Sequence, residues 1–241
     1  MSTEPDLSRR IAEASRPVVF CGAGLSAESG IPTFRARSDH ALWSRFDPEE
    51  LASLEGFTRA PRRVLDWYAW RRGLVADARP NPAHRALDAW ARSLLVTQNV
   101  DDLQERAGTD PDRIVHLHGS IVHDRCHEGC GWADRSALDG AAGQLACPDC
   151  DGVIRPAVVW FGESLPEEDW QRAFRACSEA DLLLVVGTSG VVQPASTLVE
   201  LASRSGAYVV NVNPEATPLD AIADASIHAP AATVLPDLLP D

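Results

Sequence analysis

Four cysteines have spacing that could do chemistry. Cys126 and Cys130, then sixteen intervening residues, then Cys147 and Cys150 place two thiol pairs on turns supplied by Gly129, Gly131 and Pro148, close to zinc-ribbon spacing. Four thiolates complete a tetrahedral shell, so the ion they imply is a structural Zn2+ with no open position. Its binding energy would be part of the folding of residues 119–155. A pair of redox dithiols is the competing reading, and His123 and His127 are rival ligands. Cys21 and Cys177 remain over and read as buried core thiols.

A second group is Gly22-Ala23-Gly24-Leu25-Ser26-Ala27, directly after the apolar run Pro17–Cys21. It fits G-x-G-x-x-[GA] after a strand, where backbone N–H groups can approach a diphosphate. The acidic residue usually found about 20 residues later is missing, and a long loop from Glu28 to about Asp47 stands there instead. The sheet is expected to bind a dinucleotide, and a loop of that length to be functional. The third group is His116-Leu117-His118-Gly119-Ser120 at a strand end. Period two puts both imidazoles on one face, and an imidazole suits general-base work. Gly-x-Ser-x-Gly is absent, so no Ser-His-Asp logic applies.

The elements that must hold these groups alternate. Strands are predicted at 17–21, 94–97, 113–118, 182–186, 208–212 and near Ile227, with helices at 7–15, 48–52, 60–78, 101–107, 166–177 and 194–204. Asn81-Pro82 reads as an N-cap with Pro at the first helical position, opening a helix to about Arg92. Alternating strands and helices argue for an α/β fold with a parallel sheet. Residues 119–155, rich in Cys, Gly, Asp and His, read as a small inserted module.

Composition narrows the partners. The 241 residues carry a formal charge of −13, which disfavours nucleic acid and anionic membranes. All 22 basic residues are Arg, so neither a Schiff-base lysine nor a P-loop lysine is available. No apolar run approaches the ~20 residues of a membrane helix, and Met1–Asp6 lacks a signal-peptide pattern. A cytoplasmic protein is expected.

Taken in order, Gly22 to Arg35, Thr97-Gln98-Asn99-Val100-Asp101, His116 to Ser120, the cysteine quartet, Gly187-Thr188-Ser189 and Asn211-Val212-Asn213 resemble the sirtuins, NAD-dependent protein deacylases. The resemblance runs from about residue 10 to the end. It implies a Rossmann-like NAD-binding domain from residues 1–35, 82–118 and 156–241, a cofactor loop and helical module at 36–81, and a zinc-binding module at 119–155. It further implies that Gly22, Ala23 and Gly24 cradle the diphosphate of NAD, with Ser26, Ala27 and Glu28 following in the same cofactor-binding segment. Gly187, Thr188 and Ser189 would hold phosphates and ribose, Asn211, Val212 and Asn213 would address the adenosine ribose, and Ala231 the adenine. Thr33, Phe34 and Arg35 would cover the nicotinamide ribose, while Gln98, Asn99, Val100 and Asp101 line the nicotinamide pocket. By the same resemblance His118 is the base for a ribose hydroxyl, assisted by Asn99 and Asp101. The stretch Val158–Glu163 would be the strand that pairs with substrate, with Val159 and Phe161 flanking the acyl-lysine. The products would be nicotinamide, O-acyl-ADP-ribose and free lysine. Ala36 departs from the Gly of many members.

Tyr68 and Arg71 sit at i and i+3, neighbours on one helix face. They look like the Tyr-x-x-Arg pair of the sirtuin branch that also removes succinyl or malonyl groups, and an Arg fork suits a carboxylate. The plain alternative is an amphipathic helix with Trp67 and Trp70 in its core and Arg71 solvated. The expected partners are acylated-lysine proteins or peptides, and no oligomeric state is implied. Mono-ADP-ribosyl transfer and a non-catalytic NAD or ADP-ribose sensor are the rival functions; intact Asn99, Asp101 and His118 speak against the sensor.

Overall fold

A computed structural model describes residues 4–33, 51–135 and 146–240. Phe34 and Arg35, most of the long loop and residues 48–50 of the helix predicted at 48–52 lie outside the described residues. The chain opens with helix α1 (Glu4–Glu13), strand β1 (Pro17–Cys21) and the short helix α2 (Gly24–Ala27). Two helices, α3 (Leu54–Arg59) and α4 (Pro61–Asp77), precede α5 (Pro82–Ala89). Then come β2 (Leu94–Thr97), α6 (Leu103–Ala107), β3 (Ile114–His116), β4 (Gly119–Cys126), β5 (Ala133–Arg135) and β6 (Ile154–Val158). Helix α7 (Glu167–Glu179), β7 (Leu182–Val186), α8 (Thr197–Arg204), β8 (Tyr208–Val212), β9 (Ala225–Ile227) and α9 (Ala231–Leu238) complete it.

Six strands form one parallel sheet in the order β3-β2-β1-β7-β8-β9. The order reverses at β1, so the crevice at the carboxyl ends of β1 and β7 is the switch point where open α/β sheets take ligands. The buried strands read as continuous apolar runs because both faces are covered. Val19, Cys21, Leu184 and Val210 face a core closed by α1, α5 and α9. Val18, Phe20, Leu183 and Val209 face the core under α7 and α8. Burying each such side chain contributes roughly 1.5–3 kcal/mol.

A second, antiparallel sheet, β5-β4-β6, carries the cysteine turns. Its Ile121 and Val158 share a core with Val64, Trp67, Tyr68 and Val75 of α4, whose spacing gives one apolar helix face. Arg72 of α4 fastens this face by donating to Asp124 Oδ1 at 2.6 Å and to the Ile121 carbonyl at 2.6 Å.

Several predicted elements shift. The helix opened by Asn81 ends at Ala89, where the Trp90 N–H closes on the Ala86 carbonyl. The strand predicted at 113–118 breaks after His116; Gly119 adopts φ +70° and its added Cβ would lie 2.1 Å from the Ala157 carbonyl oxygen. The strand predicted at Val158–Glu163 ends at Val158. Beyond it the Glu163 carboxylate accepts the Trp160 N–H at 2.8 Å and Gly162 takes φ +88°, which curls the chain into a turn. Phe161 still makes one isolated parallel bridge to Ser53. Helix α3 was not foreseen, nor was α9, which follows the strand expected to close the chain.

Candidate active site

The two glycine turns meet at the switch point. Gly22 N–H donates to the Val186 carbonyl at 3.0 Å, Gly24 N–H to Gly187 at 2.8 Å, and Gly187 N–H to Val212 at 2.9 Å. A Cβ on Gly24 would lie 2.6 Å from Gly187 Cα, and Gly187 holds φ +60°. Close backbone approach therefore demands glycine here. Gln98 Nε2 donates to Thr188 Oγ1 at 3.0 Å, and Asn213 Nδ2 donates to the Thr188 carbonyl at 2.8 Å. Gly22–Gly24, Gln98, Thr188, Ser189 and Asn213 are thus gathered at one rim, with Ala27 and Glu28 exposed beside it. The Glu28 carboxylate accepts the Ala232 N–H at 2.8 Å, which ties the start of the long loop to α9 next to buried Ala231. Val212 is buried in the sheet core. Asn211 is placed differently: it is buried, and its amide nitrogen donates to Thr217 and Asp220 at 3.3 and 2.8 Å. Thr33 is half-buried at the end of the described part of the loop.

Behind the rim lies a buried polar cluster. Ser26 Oγ donates to Asp101 Oδ2 at 3.0 Å and accepts from Asn99 Nδ2 at 3.2 Å. His84 Nδ1 accepts the Asn81 N–H at 3.3 Å, which leaves its proton on Nε2, 3.5 Å from the same Ser26 oxygen. Burial, helped by Arg85, pushes His84 down to about 4, so it is neutral at physiological pH. Burial raises Asp101 above the usual carboxylate range against two opposing donors, Leu103 N–H and Ser26. A small cavity of about 10 Å³, lined by Asn99, Asp101, Gln104 and both His84 and His116, has room for a single water at most.

The two strand-end histidines have different partners. His116 Nε2 lies 2.8 Å from Glu105 Oε1. His118 Nδ1 lies 3.0 Å from the Gln98 carbonyl, and a carbonyl only accepts, so the Nδ1 proton is fixed and Nε2 keeps its lone pair. Burial lowers the His118 pKa, partly offset by that hydrogen bond. The His118 carbonyl accepts the Val159 N–H at 2.9 Å, and the Val100 carbonyl accepts Ile121 N–H at 2.8 Å. Phe161 is 47% exposed beside them.

Tyr68 is fully buried, and the Arg71 guanidinium sits 4.8 Å from the Trp67 ring and 5.8 Å from the Tyr68 ring. Arg71 is buried, not solvated. Burial lowers its pKa, and both Tyr68 and Asp101 act to raise it, which puts the helix face within electrostatic reach of the polar cluster.

The four cysteine sulfurs lie within 4.8 Å of one another, with Cys126–Cys150 and Cys130–Cys147 each at 3.5 Å. Bonds of about 2.3 Å around a tetrahedral Zn2+ would separate sulfurs by about 3.8 Å, so the quartet fits the ion. His127 points its ring at Phe57 and Trp160 instead, and neither His123 nor His127 joins the cluster. No cysteine forms a disulfide.

Residues 22–194 match the family model described as the Sir2 family. The chain belongs to the Sir2 family. It is 50% identical over 232 residues to an NAD-dependent protein deacylase of Mycolicibacterium paratuberculosis, covering 93% of this chain and 96% of that one. It is 49% identical to NAD-dependent protein deacylase 1 of Pseudomonas aeruginosa, covering 95% of each. The structure of a Sir2 homolog–NAD complex superposes on this Sir2-family chain with a TM-score of 0.92 at 42% identity, covering 98% of this chain and 93% of that one. One of Sir2 bound to acetylated peptide does so at 0.85 and 28%, covering 97% and 96%.

No sequence motif singles out His84, which lies within the capped start of α5. Asn81-Pro82-Ala83-His84 carried a signal: a histidine at the third helical position can return a bond to the N-cap backbone, as it does. Nothing local in the sequence links Trp160, Arg155 and Glu163 to α4.

Proposed function

We propose that this Sir2-family chain is an NAD-dependent protein-lysine deacylase that yields nicotinamide, O-acyl-ADP-ribose and free lysine. The observation that carries the reading is His118: a half-buried imidazole, its pKa lowered by desolvation, with Nδ1–H held by Gln98 and Nε2 left basic. It stands beside the Ser26–Asn99–Asp101 cluster at the switch point. The donor set of amides, hydroxyls and glycine backbone suits the diphosphate and ribose oxygens of NAD. NAD, when bound, supplies the ribosyl carbon that the acyl oxygen of substrate attacks as nicotinamide leaves. Gly22–Gly24 and Gly187–Ser189 orient the diphosphate, Asn213 serves the adenosine end while buried Asn211 braces the strand end through Thr217 and Asp220, and Ala231 adjoins the adenine. Thr33 serves the nicotinamide ribose, a role that the family resemblance also gives to Phe34 and Arg35. Asn99 and Asp101 position the nicotinamide amide, and His118 takes the proton of a ribose hydroxyl. Val159 and Phe161 flank the acyl-lysine, with Val159 bonded through its N–H to the base's own carbonyl. Cys126, Cys130, Cys147 and Cys150 hold a closed, structural Zn2+.

The acyl range extends to succinyl and malonyl groups on this reading, because Arg71 is a desolvated cation beside a phenol. A buried guanidinium favours an anionic partner. Six thiols without a disulfide suit a reducing cytoplasm. The test is mass spectrometry of matched acetyl- and succinyl-lysine peptides incubated with and without NAD. Free lysine appearing only with NAD, together with O-acyl-ADP-ribose, is the expected result. An ADP-ribosylated acceptor would overturn it in favour of transfer, and bound ADP-ribose without turnover in favour of a sensor.

A further inference from the structure

We infer that Trp160 is a specificity-determining residue for acidic acyl groups, acting by orienting the Tyr68 hydroxyl. The inference rests on the proposed role of Tyr68 and Arg71 at the acyl carboxylate. Trp160 Nε1 lies 2.9 Å from the Tyr68 hydroxyl oxygen. An indole N–H only donates, so the phenol oxygen is the acceptor and its own proton is directed elsewhere. Both side chains are buried, Trp160 at 1% and Tyr68 at 0% exposure, so bulk water does not compete for this bond.

The donor is itself held from several directions. The Arg155 guanidinium lies 3.8 Å from the Trp160 ring centroid, and the Phe57 ring packs tilted against it at 4.9 Å. The Trp160 backbone N–H is fixed on Glu163 Oε2 at 2.8 Å, and Glu163 in turn pairs with Arg155 and with Arg125. Arg155 also donates to the Val158 carbonyl at 3.2 Å. This clamp bends the Val158–Glu163 segment into its turn and aims the indole at α4. The segment expected to meet the substrate backbone and the helix expected to read the acyl terminus are thereby joined by one hydrogen bond. Held as acceptor by the indole, Tyr68 presents its O–H as a pre-set donor next to the Arg71 cation. A succinyl or malonyl carboxylate uses both donors, whereas an acetyl group has no oxygen to spare for either.

The test is a double-mutant cycle on the ratio of kcat/KM for paired succinyl- and acetyl-lysine peptides. The variants are Trp160→Phe, Tyr68→Phe and the two combined. Trp160→Phe should lower the succinyl-to-acetyl ratio about 3–10-fold, the scale of one neutral hydrogen bond, with the loss in KM for the succinyl peptide. In the Tyr68→Phe background the same change should add nothing. A ratio unmoved by Trp160→Phe, or losses that simply multiply in the double variant, would overturn the inference. If Tyr68→Phe also leaves the ratio unmoved, the carboxylate reading of Tyr68 falls with it; if Tyr68→Phe shifts the ratio and Trp160→Phe does not, only the inference falls. Should Trp160→Phe fail to fold, benzothienylalanine at 160 keeps the bicyclic shape and deletes only the N–H, and the same ratio decides.

Discussion

Replacing Gly24 by alanine tests the interlocked turns at the switch point. The new Cβ would stand 2.6 Å from Gly187 Cα and 2.7 Å from its carbonyl oxygen, where carbon atoms normally rest about 3.5–4.0 Å apart. The turns must separate by about 1 Å. Gly187 cannot yield freely, because its N–H is held by Val212 and its backbone is left-handed. Overpacking costs about 1–3 kcal/mol, and stretching the Gly24–Gly187 hydrogen bond about 1 kcal/mol more. For a chain of this size that lowers Tm by roughly 5–15 °C. Misplacing the cofactor turn by about 1 Å costs on the order of 10²-fold in activity, with KM for NAD raised. Gly73→Ala is the matched control. Its Cβ meets nothing within 4 Å, and it sits inside α4, so alanine should stabilise by about 0.5–1 kcal/mol. Melting curves with and without ADP-ribose, and NAD saturation with an acetyl peptide, measure both variants. A Gly24→Ala protein with wild-type Tm and wild-type KM for NAD would refute the interlock.

Four further outcomes are expected. His118→Ala should lose about 10²–10⁴-fold in deacylation while calorimetry still detects NAD binding, and the wild-type rate should fall in acid only below pH ~6.5, since burial lowers this imidazole. Metal analysis should find one Zn2+ per chain, and a strong chelator should unfold the protein; folded, zinc-free, active protein contradicts the closed site. His84, neutral when folded and pushed down to about 4, binds its proton more readily when unfolded. Its stabilisation is therefore complete above pH ~6.5 and is lost as pH falls toward about 4, by about 3 kcal/mol; urea titrations at several pH values should show this slope in the wild type and lose it in His84→Asn. Arg71→Met should cost roughly 10–100-fold in kcat/KM on succinyl-lysine and much less on acetyl-lysine, and equal losses would reduce Arg71 to a helix support.

Much of the fold could be read because its determinants are local. Leu94–Thr97, Leu182–Val186 and Tyr208–Val212 are the predicted strands to the residue, since a strand buried on both faces announces itself as an uninterrupted apolar run. Asn81 caps α5 through Ala83 and His84 N–H groups as its type and the following proline foretold. The cysteine quartet converges as its spacing indicated. What failed was set by tertiary contact. Val158–Glu163 has strand-like composition, yet a carboxylate three residues on captures the Trp160 N–H and turns the chain. Helix α9 holds an internal Pro236, which discourages a helical reading, and burial of Leu235 and Leu238 against the sheet overrides it.

The polar cluster shows why a motif locates a site without explaining it. Ser26, the Asn99–Asp101 pair and His84 come from α2, the loop after β2 and the first turn of α5, and no spacing in the chain relates these three segments. Their protonation states follow from burial: one imidazole accepts from a backbone N–H and is held neutral, and one carboxyl is raised by desolvation. Asn81 does two jobs at once, capping α5 with its carbonyl oxygen and bonding the Leu25 carbonyl and Ser29 hydroxyl with its amide. That amide sets where α2, and hence Ser26, lies relative to Asp101. A residue that looks like routine helix punctuation therefore fixes the geometry on which the proposed chemistry depends, and Asn81→Asp, which keeps the cap but removes the donor, separates the two roles.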